Sequence, residues 1–478
     1  MWTTFVTRSL TLLALGKFAL SSAIVDSSAY AYRSNEHVRK DDSPNKTLAA
    51  AGYNFSGPIP IGDPKFTCQV FSYLFPQNET FSASSSYYTP LYEIPWSQTC
   101  WLEPACIVTP TSPTDVSKVM LVLRVLNTTF AIRSGGHSVM PGFAGVGSNG
   151  VLVALQNLNT LSISDDNKIA TVGTGNRWGN VYKFAADHGV SVVGGREPMV
   201  GVGGLLLGGV VTDFDLETNE YTKVYFEIYL YSPSNTSAVL QAYANYMANP
   251  NTDVNTNVEI QVTANFTLVF LGYNGWTNKS VDFEPFYTIP PLATYFPPTN
   301  GTINDVVFGV SGNAKSVGST YDASLAHEVG NGSLLLDSYQ IFLDLNQNLP
   351  SGMYFSYAPQ GISPNLVNYG KLKNGGNLLN LQAVPQIWVD IFIDYADTKN
   401  TDIAKSTIDA FVANLTQKAE AQGLLLPYLY ANNAADIQKP LRGYGEESFK
   451  FIQQVAQKYD PDGVLQKLQN GGFLYSRE

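Results

Sequence analysis

Phe130-Ala131-Ile132-Arg133-Ser134-Gly135-Gly136-His137-Ser138 is the stretch on which the reading of this chain turns. Its first three residues read as a short strand, and the chain then enters two adjacent glycines. Glycines there let the backbone approach a ligand closely, and consecutive N–H groups in such a turn form a concave site suited to a pyrophosphate. His137 stands at the end of that cradle, where an imidazole nitrogen can act as a nucleophile. Taken alone, Gly-Gly-His describes an ordinary turn with a surface histidine. A second cluster changes that balance: Gly194-Gly195-Arg196-Glu197-Pro198-Met199-Val200-Gly201-Val202-Gly203-Gly204-Leu205-Leu206-Leu207-Gly208-Gly209. Its glycines are too frequent for a helix and its neighbours too apolar for a disordered linker. Two such clusters predict backbone packed against an extended cofactor.

Outward from this stretch, strands and helices alternate. Before it, Ser112 can cap a helix, Pro113 suits the first helical position, Asp115 suits the positive end, and Val116, Val119, Met120 and Leu123 share a face. After it come strands at Val151–Leu155 and Ile169–Val172, then a helix from Asn176 to His188 that stacks Trp178, Val181, Tyr182 and Ala185 and stops at Gly189. Val190–Val193 reads as a further strand. Gly145-Val146-Gly147-Ser148-Asn149-Gly150 matches the dinucleotide fingerprint, but it precedes a strand instead of following one, so it reads as a loop. The pattern is that of an α+β ligand-binding domain.

From Tyr221 the texture changes to long alternating strands, Val224/Phe226/Ile228/Leu230 and Ile387/Val389/Ile391/Ile393, and to helices such as the one carrying Ile408, Phe411, Val412 and Leu415. A second domain with an antiparallel sheet covered by helices is expected. The last helix, with Phe449, Ile452, Val455 and Tyr459 on one face, should end at Asp460-Pro461.

Composition sets the outer limits. The chain has 478 residues, 44% of them hydrophobic, a charged fraction of 14% and a formal net charge of −11. It can bury a large core, and with no Lys/Arg block to neutralise phosphates it is a poor partner for nucleic acid. No run after the N-terminus is long enough to span a bilayer. Residues 1–23 read as a secretory signal peptide, with Arg8, an apolar stretch from Leu10 to Leu20 and small residues at Ser21-Ser22-Ala23. Residues 24–60 read as a flexible lead-in, and the folded unit is expected to start near Gly62. Ten Asn-x-Ser/Thr sequons, at Asn45, Asn54, Asn78, Asn127, Asn235, Asn265, Asn278, Asn300, Asn331 and Asn414, agree with a secreted, extracellular glycoprotein. In such a compartment two of Cys68, Cys100 and Cys106 are expected to pair. His188 at a helix end and the isolated His37 and His327 show no metal-ligand spacing. A monomer is expected.

Pro104-Ala105-Cys106-Ile107-Val108-Thr109-Pro110, the Arg-Ser-Gly-Gly-His-Ser loop, Val200-Gly201-Val202-Gly203-Gly204 and Lys458-Tyr459-Asp460-Pro461 through Gly471-Gly472-Phe473 together resemble fungal berberine-bridge-enzyme-like oxidases, within the vanillyl-alcohol oxidase and p-cresol methylhydroxylase superfamily. The resemblance spans nearly the whole mature chain. It implies a two-part FAD domain, residues 61–220 and 436–478, with a substrate domain inserted at 221–435. It implies FAD bound covalently through His137, with Arg133, Ser134, Gly135, Gly136 and Ser138 along the cofactor and Gly195, Val200, Gly201, Gly204, Gly208 and Val211 contributing from the second segment. Glu197 stands where many relatives carry a second linking cysteine, so a single attachment is implied. A small-molecule substrate, an alcohol, sugar or natural product, would give hydride to the flavin, and dioxygen would take the electrons to form hydrogen peroxide. Within Tyr428-Leu429-Tyr430-Ala431-Asn432-Asn433-Ala434, Asn432 matches the family asparagine, Asn433 replaces the usual tyrosine, and Tyr430 becomes the candidate base; its alternative is a core tyrosine bonded to backbone. The family position of Cys106 implies a Cys68–Cys106 bridge with Cys100 free.

The resemblance breaks at one point. Relatives continue past the second glycine segment with several dozen residues that complete the flavin domain, whereas here Gly208-Gly209 runs directly into Val210-Val211-Thr212-Asp213-Phe214-Asp215-Leu216. So clean a junction points to an exon skip or gene-model error, the alternative being a diverged paralogue that no longer holds flavin and serves as a secreted binding glycoprotein.

Overall fold

The computed structural model describes residues 43–209, 223–310, 318–372, 377 and 379–478. The expected leader, most of the lead-in, Val211 and the junction from Val210 to Leu216 lie outside them. The chain folds from the start of the described region: helix α1 (Pro44–Ala50) buries Thr47 and Leu48. Tyr53, Phe55 and Ile59 then pack against the same core as Phe66 and Phe71 of helix α2 (Pro64–Leu74). The folded unit therefore begins well before Gly62. Residues 44–60 carry enough apolar side chains to dock, although they have no regular period.

The first sheet has four strands in the order β1 (Thr80–Phe81), β2 (Cys106–Val108), β4 (Val151–Ala154), β3 (Phe130–Arg133). β2 and β3 lie parallel to β4 on either side. Helix α3 (Pro113–Val125) connects β2 to β3 and starts where the sequence places it. The Ser112 hydroxyl accepts from the Asp115 N–H at 3.1 Å and donates to the Asp115 carboxylate at 2.6 Å, which satisfies an orphan donor of the first turn. A small hairpin follows, β5 (Leu161–Ile163) with β6 (Ala170–Val172), and then helix α4 (Trp178–Asp187).

Two expectations fail here. Val190–Val193 is not a strand: the Val190 N–H closes the end of α4 by bonding to Ala185 O, and Gly194 and Gly195 lie flat on the Trp178 indole. The stretch is apolar because Val192 packs against the cluster of Trp178, Val181 and Tyr182 on α4 and Val193 is buried. The second glycine segment does contain a helix, α5 (Val202–Gly208), despite its poor intrinsic propensity. Its first turn is held from outside by the bond from Val202 N–H to Asn176 O, so tertiary contacts override propensity.

The second sheet has seven strands, all antiparallel, in the order β10 (Ala293–Gly301), β7 (Val224–Tyr231), β9 (Thr267–Asn274), β8 (Thr256–Thr263), β12 (Met353–Ile362), β13 (Gln386–Tyr395), β11 (Ser319–Glu328). Helices α6 (Thr236–Ala248), α7 (Ser333–Asn346) and α8 (Thr401–Ala421) cover one face. Leu240, Tyr243, Phe342, Ile408, Phe411 and Leu415 meet Ile260, Leu271, Leu325, Tyr357 and Ile391 there. The other face is divided. At one end Phe226, Ile228, Leu268 and Phe270 pack on Trp178, Val181 and Val202. Across the remaining strands the inward positions are polar and buried, among them Glu259, Gln261, Thr263, Thr320, Ser324 and Ser356.

The chain then returns to the first sheet. Helix α9 (Gly445–Tyr459) buries Phe449 but leaves Val455 and Tyr459 exposed, so the face expected to be buried is buried only at its start. A short helix α10 (Val464–Leu468) follows it, beyond the expected end. Gln469 bridges to Phe130, the Asn470 N–H bonds to Phe130 O at 2.7 Å, and Arg124 pairs with Asp462 at 2.8 Å. Cys68 and Cys106 form a disulfide, and Cys100 is free and buried.

Candidate active site

β3 delivers Arg133 into the interior and ends at the glycine turn. Gly135 and Gly136 are buried, His137 is half-buried and Ser138 is exposed. Gly136 has φ +72°, a conformation that favours glycine. Gly135 meets Gly201 of the second segment directly: a β-carbon on Gly135 would lie 2.4 Å from the Gly201 nitrogen, and one on Gly201 would lie 2.2 Å from the Gly135 nitrogen. The two clusters read in the sequence as one site are therefore neighbours, and part of their glycine requirement is for each other. The Ser134 hydroxyl donates to Thr174 O at 2.5 Å and accepts from Gly203 N–H at 3.3 Å, which ties the loops together. Val200 offers its carbonyl to the Trp178 N–H at 3.0 Å. Gly195 lies against Trp178, while Gly204 is exposed with open space around it.

Two arginines converge on this turn. The Arg133 side chain is 1% exposed; its Nη1 donates to Leu91 O at 2.7 Å, while Nε and Nη2 have no partner among the described residues. Arg177, at the N-terminus of α4, donates to Gly135 O at 2.7 Å and to Met199 O. Burial, with Arg177 adding, pulls the Arg133 guanidinium down to about 10, and burial lowers Arg177 as well. A buried cation with spare donors and no carboxylate partner among the described residues, as Arg133 is, is the complement of a bound anion. The residues present thus fit the pyrophosphate of a dinucleotide. Arg133 and Arg177 supply charge from below, and the glycine loops supply backbone. Arg177 carries no signal in the sequence beyond its place before a helix, and was not read as part of the site.

Tyr430 and Asn432 come together at the far end of α5. The Asn432 amide donates to Leu205 O at 3.2 Å, Gly209 O at 3.0 Å and the Tyr430 hydroxyl at 3.0 Å. The Tyr430 hydroxyl donates to Gly209 O at 3.2 Å. Gly208 is required there, because a β-carbon would fall 2.0 Å from the Asn432 side-chain oxygen. Trp388 packs at a tilt against both Tyr428 and Tyr430, with centroids 4.5 and 5.3 Å apart. Burial raises the Tyr430 pKa; Arg196 and the Asn432 hydrogen bond oppose this, and Asp390 adds to it. Arg196 lies 3.7 Å from Glu259 on the polar face of the second sheet, so the glycine segment and the sheet are joined by an ion pair. Glu259, Gln261 and Thr263 alternate with Val258, Ile260 and Val262 along β8. That period of two was legible as a buried polar face, yet it was not read as part of the site. Glu197 is 3% exposed, and its carboxylate accepts from the Met199 N–H at 3.4 Å.

The fold is that of an FAD-linked oxidoreductase. Residues 104–215 match the family model described as FAD binding domain. The chain is 38% identical to the FAD-dependent monooxygenase macF of Penicillium terrestre, over 88% of this chain and 92% of that protein. It is 43% identical to the FAD-dependent monooxygenase yanF of Aspergillus niger, over 84% of this chain and 78% of that protein. Among solved structures, wild-type BBE-like 1 of Physcomitrella patens matches with a TM-score of 0.66 at 14% identity, covering 91% of this chain and 100% of that one. The glucooligosaccharide oxidase of Acremonium strictum, with its 6-S-cysteinyl, 8α-N1-histidyl FAD, matches with a TM-score of 0.64 at 16% identity, covering 91% of this chain and 100% of that one. The chain belongs to the family of these FAD-dependent monooxygenases, and it shares the fold of the berberine-bridge-enzyme-like and oligosaccharide oxidases. The alignment with the Penicillium terrestre relative runs over 477 positions while using 88% of these 478 residues, so the relative carries several dozen residues without a counterpart here. Among the described residues no helix is long and apolar enough to cross a membrane, and no group of three or more His, Cys, Asp or Glu could hold a metal ion.

Proposed function

We propose that this chain is a secreted oxidase that takes electrons from an alcohol, sugar or natural-product substrate, with FAD attached covalently through His137 and dioxygen as the acceptor. The observation that carries the reading is the buried Arg133 and the half-buried Arg177, neither with a carboxylate partner among the described residues, at the Gly135-Gly136 turn, with His137 at its end. When bound, the flavin supplies the two-electron chemistry; the protein supplies orientation, charge and proton handling. Gly135, Gly136 and Gly201 give the backbone approach, Arg133 and Arg177 the balancing charge, and Glu197 in place of a cysteine leaves His137 as the one attachment point. The substrate meets the polar face of the seven-stranded sheet, where Gln261 Oε1 has no partner among the described residues. Tyr430, hydrogen-bonded to Asn432, is the proton acceptor. The disulfide and the sequons support the secretory route, since nine of the ten sequon asparagines are exposed and Asn235 alone is half-buried.

In a version that carries a relative's block between Gly209 and Val210, flavin fluorescence should survive on a denaturing gel and His137→Ala should abolish it; a mutant that kept it would refute the assignment. The names of the relatives favour a second reading, a monooxygenase. Labelled dioxygen separates the two, because an oxidase leaves the label in hydrogen peroxide and a monooxygenase places it in the product.

A further inference from the structure

The segment Pro95–Cys100 crosses between the glycine turn and the second sheet and grips the backbone on both sides of His137. The Trp96 N–H donates to Gly136 O at 2.9 Å, and the Cys100 thiol to Ser138 O at 3.6 Å. The segment is itself anchored to the sheet: Thr320 N–H donates to the Ser97 hydroxyl at 3.0 Å and Gln98 N–H to Gly318 O at 3.1 Å. The Trp101 indole N–H returns to Pro95 O at 2.9 Å. Pro95 lies under the turn, where a β-carbon on Gly136 would be 3.4 Å from its α-carbon. On this support the Trp96 indole is stacked on the His137 imidazole, with ring centroids 4.7 Å apart and planes 28° from parallel.

We propose that Trp96 is a positioning residue for covalent flavin attachment, holding the His137 imidazole in one plane so that a ring nitrogen faces the cofactor edge. The inference rests on the reading of His137 as the attachment point. A nucleophilic imidazole attacks through a lone pair that lies in the ring plane, so rotation about its side-chain torsions turns the reactive nitrogen away. A stacked indole restrains that rotation yet covers only a ring face and leaves the edge open. Attachment exchanges one imidazole N–H and one methyl C–H bond for a C–N bond, and the two protons and two electrons released pass to dioxygen as hydrogen peroxide. A simple packing role for Trp96, which also touches the core containing Val139 and Tyr321, predicts something different. Leu would then serve nearly as well as Phe.

The test compares the wild type with Trp96→Phe, Trp96→Leu and His137→Ala, measuring flavin that survives denaturation against total bound flavin. Phe keeps a stacking face and should attach at close to the wild-type rate. Leu should attach roughly tenfold more slowly while still holding FAD that denaturation releases. A Leu variant that attaches as fast as the wild type overturns the proposal, and so does a Phe variant no better than Leu. If the wild type attaches no flavin but a chimera carrying a relative's block between Gly209 and Val210 does, the variants are compared in that chimera; if neither attaches flavin, the reading of His137 is what fails. Ring orientation is then read in the flavin-free protein by NMR, with the His137 signals assigned from the Ala variant. An upfield ring-current shift in the wild type that Trp96→Phe retains supports the stacking, and an unshifted His137 in the wild type overturns the proposal without any variant having to fold.

Discussion

Gly135 and Gly201 show how far single residues could be read. The sequence marked both as places where a backbone must come close to something, and the nearest thing in the structure is the other glycine. Gly201→Ala would force apart two backbones that leave its β-carbon 2.2 Å from a nitrogen. It should cost about 1–3 kcal/mol, seen as a lower denaturant midpoint, and a variant of unchanged stability would show that the loops separate freely. Tyr430 is a second case. Its hydroxyl bonds to Gly209 O and its pKa is raised by burial, so the phenol is protonated at neutral pH. If it is the base, kcat in flavin-loaded protein should still be rising on the alkaline side; a plateau reached near neutrality would point to another group. His327 is a third. It read as an isolated histidine, and it is in fact fully buried on β11, its Nδ1 bonded to Glu328 O at 2.7 Å and its pKa pulled down to about 4 by burial. The folded state thus binds this proton less readily than the unfolded chain. Its full contribution is present above the unfolded value near 6.5, and stability falls as pH drops from there toward 4, by up to about 3 kcal/mol. Equilibrium unfolding of His327→Gln should show a shallower acid slope, and an unchanged slope would place the acid sensitivity elsewhere.

Elements were legible where their own residues decide them and obscure where a neighbour does. Helix α3 begins at Ser112 because a cap, a proline and an acid coincide there, and all three act within the first turn. The strands β7 and β13 announce themselves by alternation, and the helix α8 by spacing that brings Ile408, Phe411 and Leu415 onto the sheet. Phe411 is fully buried between Phe355 and Tyr357, with ring centroids 5.8 and 5.3 Å away. Phe411→Ala should therefore destabilise by about 3–5 kcal/mol, and a loss below about 1 kcal/mol would mean that the helix is not the main cover of this face. Val190–Val193 misled because a stretch of valines is the same signal whether it pairs in a sheet or covers an indole. Helix α5 misled in the opposite sense, since its glycines argue against the helix that Asn176 O starts and Asn432 holds at its end.

At the scale of the molecule the resemblance implied two parts and their order, and it placed at Gly209-Val210 the point where they do not join as relatives do. The chain closes on itself through the bridge of Gln469 to Phe130 and the pair Arg124–Asp462. The Cys68–Cys106 disulfide closes a loop with a sequence separation of 38, a constraint on the unfolded chain of about 3–4 kcal/mol in the entropic model. Against this closure stands α5, which ends with Leu206 54% and Leu207 92% exposed immediately before the junction. A covering segment inserted at this junction would have these apolar side chains to pack against. The several dozen residues that the Penicillium terrestre relative carries beyond this chain are enough to supply one. A flavin site open to water on that side would leave polar groups of the cofactor unpaired and its ring unenclosed. We therefore expect the chain as written to hold FAD weakly and to unfold at low denaturant, and a chimera carrying a relative's block between Gly209 and Val210 to regain both stability and covalent flavin. Transcript sequencing across the junction shows whether the block is encoded, and flavin content of the two proteins expressed side by side measures what it does. A monodisperse preparation of the 478-residue chain with one covalent FAD per molecule and sustained turnover would mean that the arginines beneath the glycine turn, together with the contacts of Asn432 to α5, suffice to hold the cofactor without it.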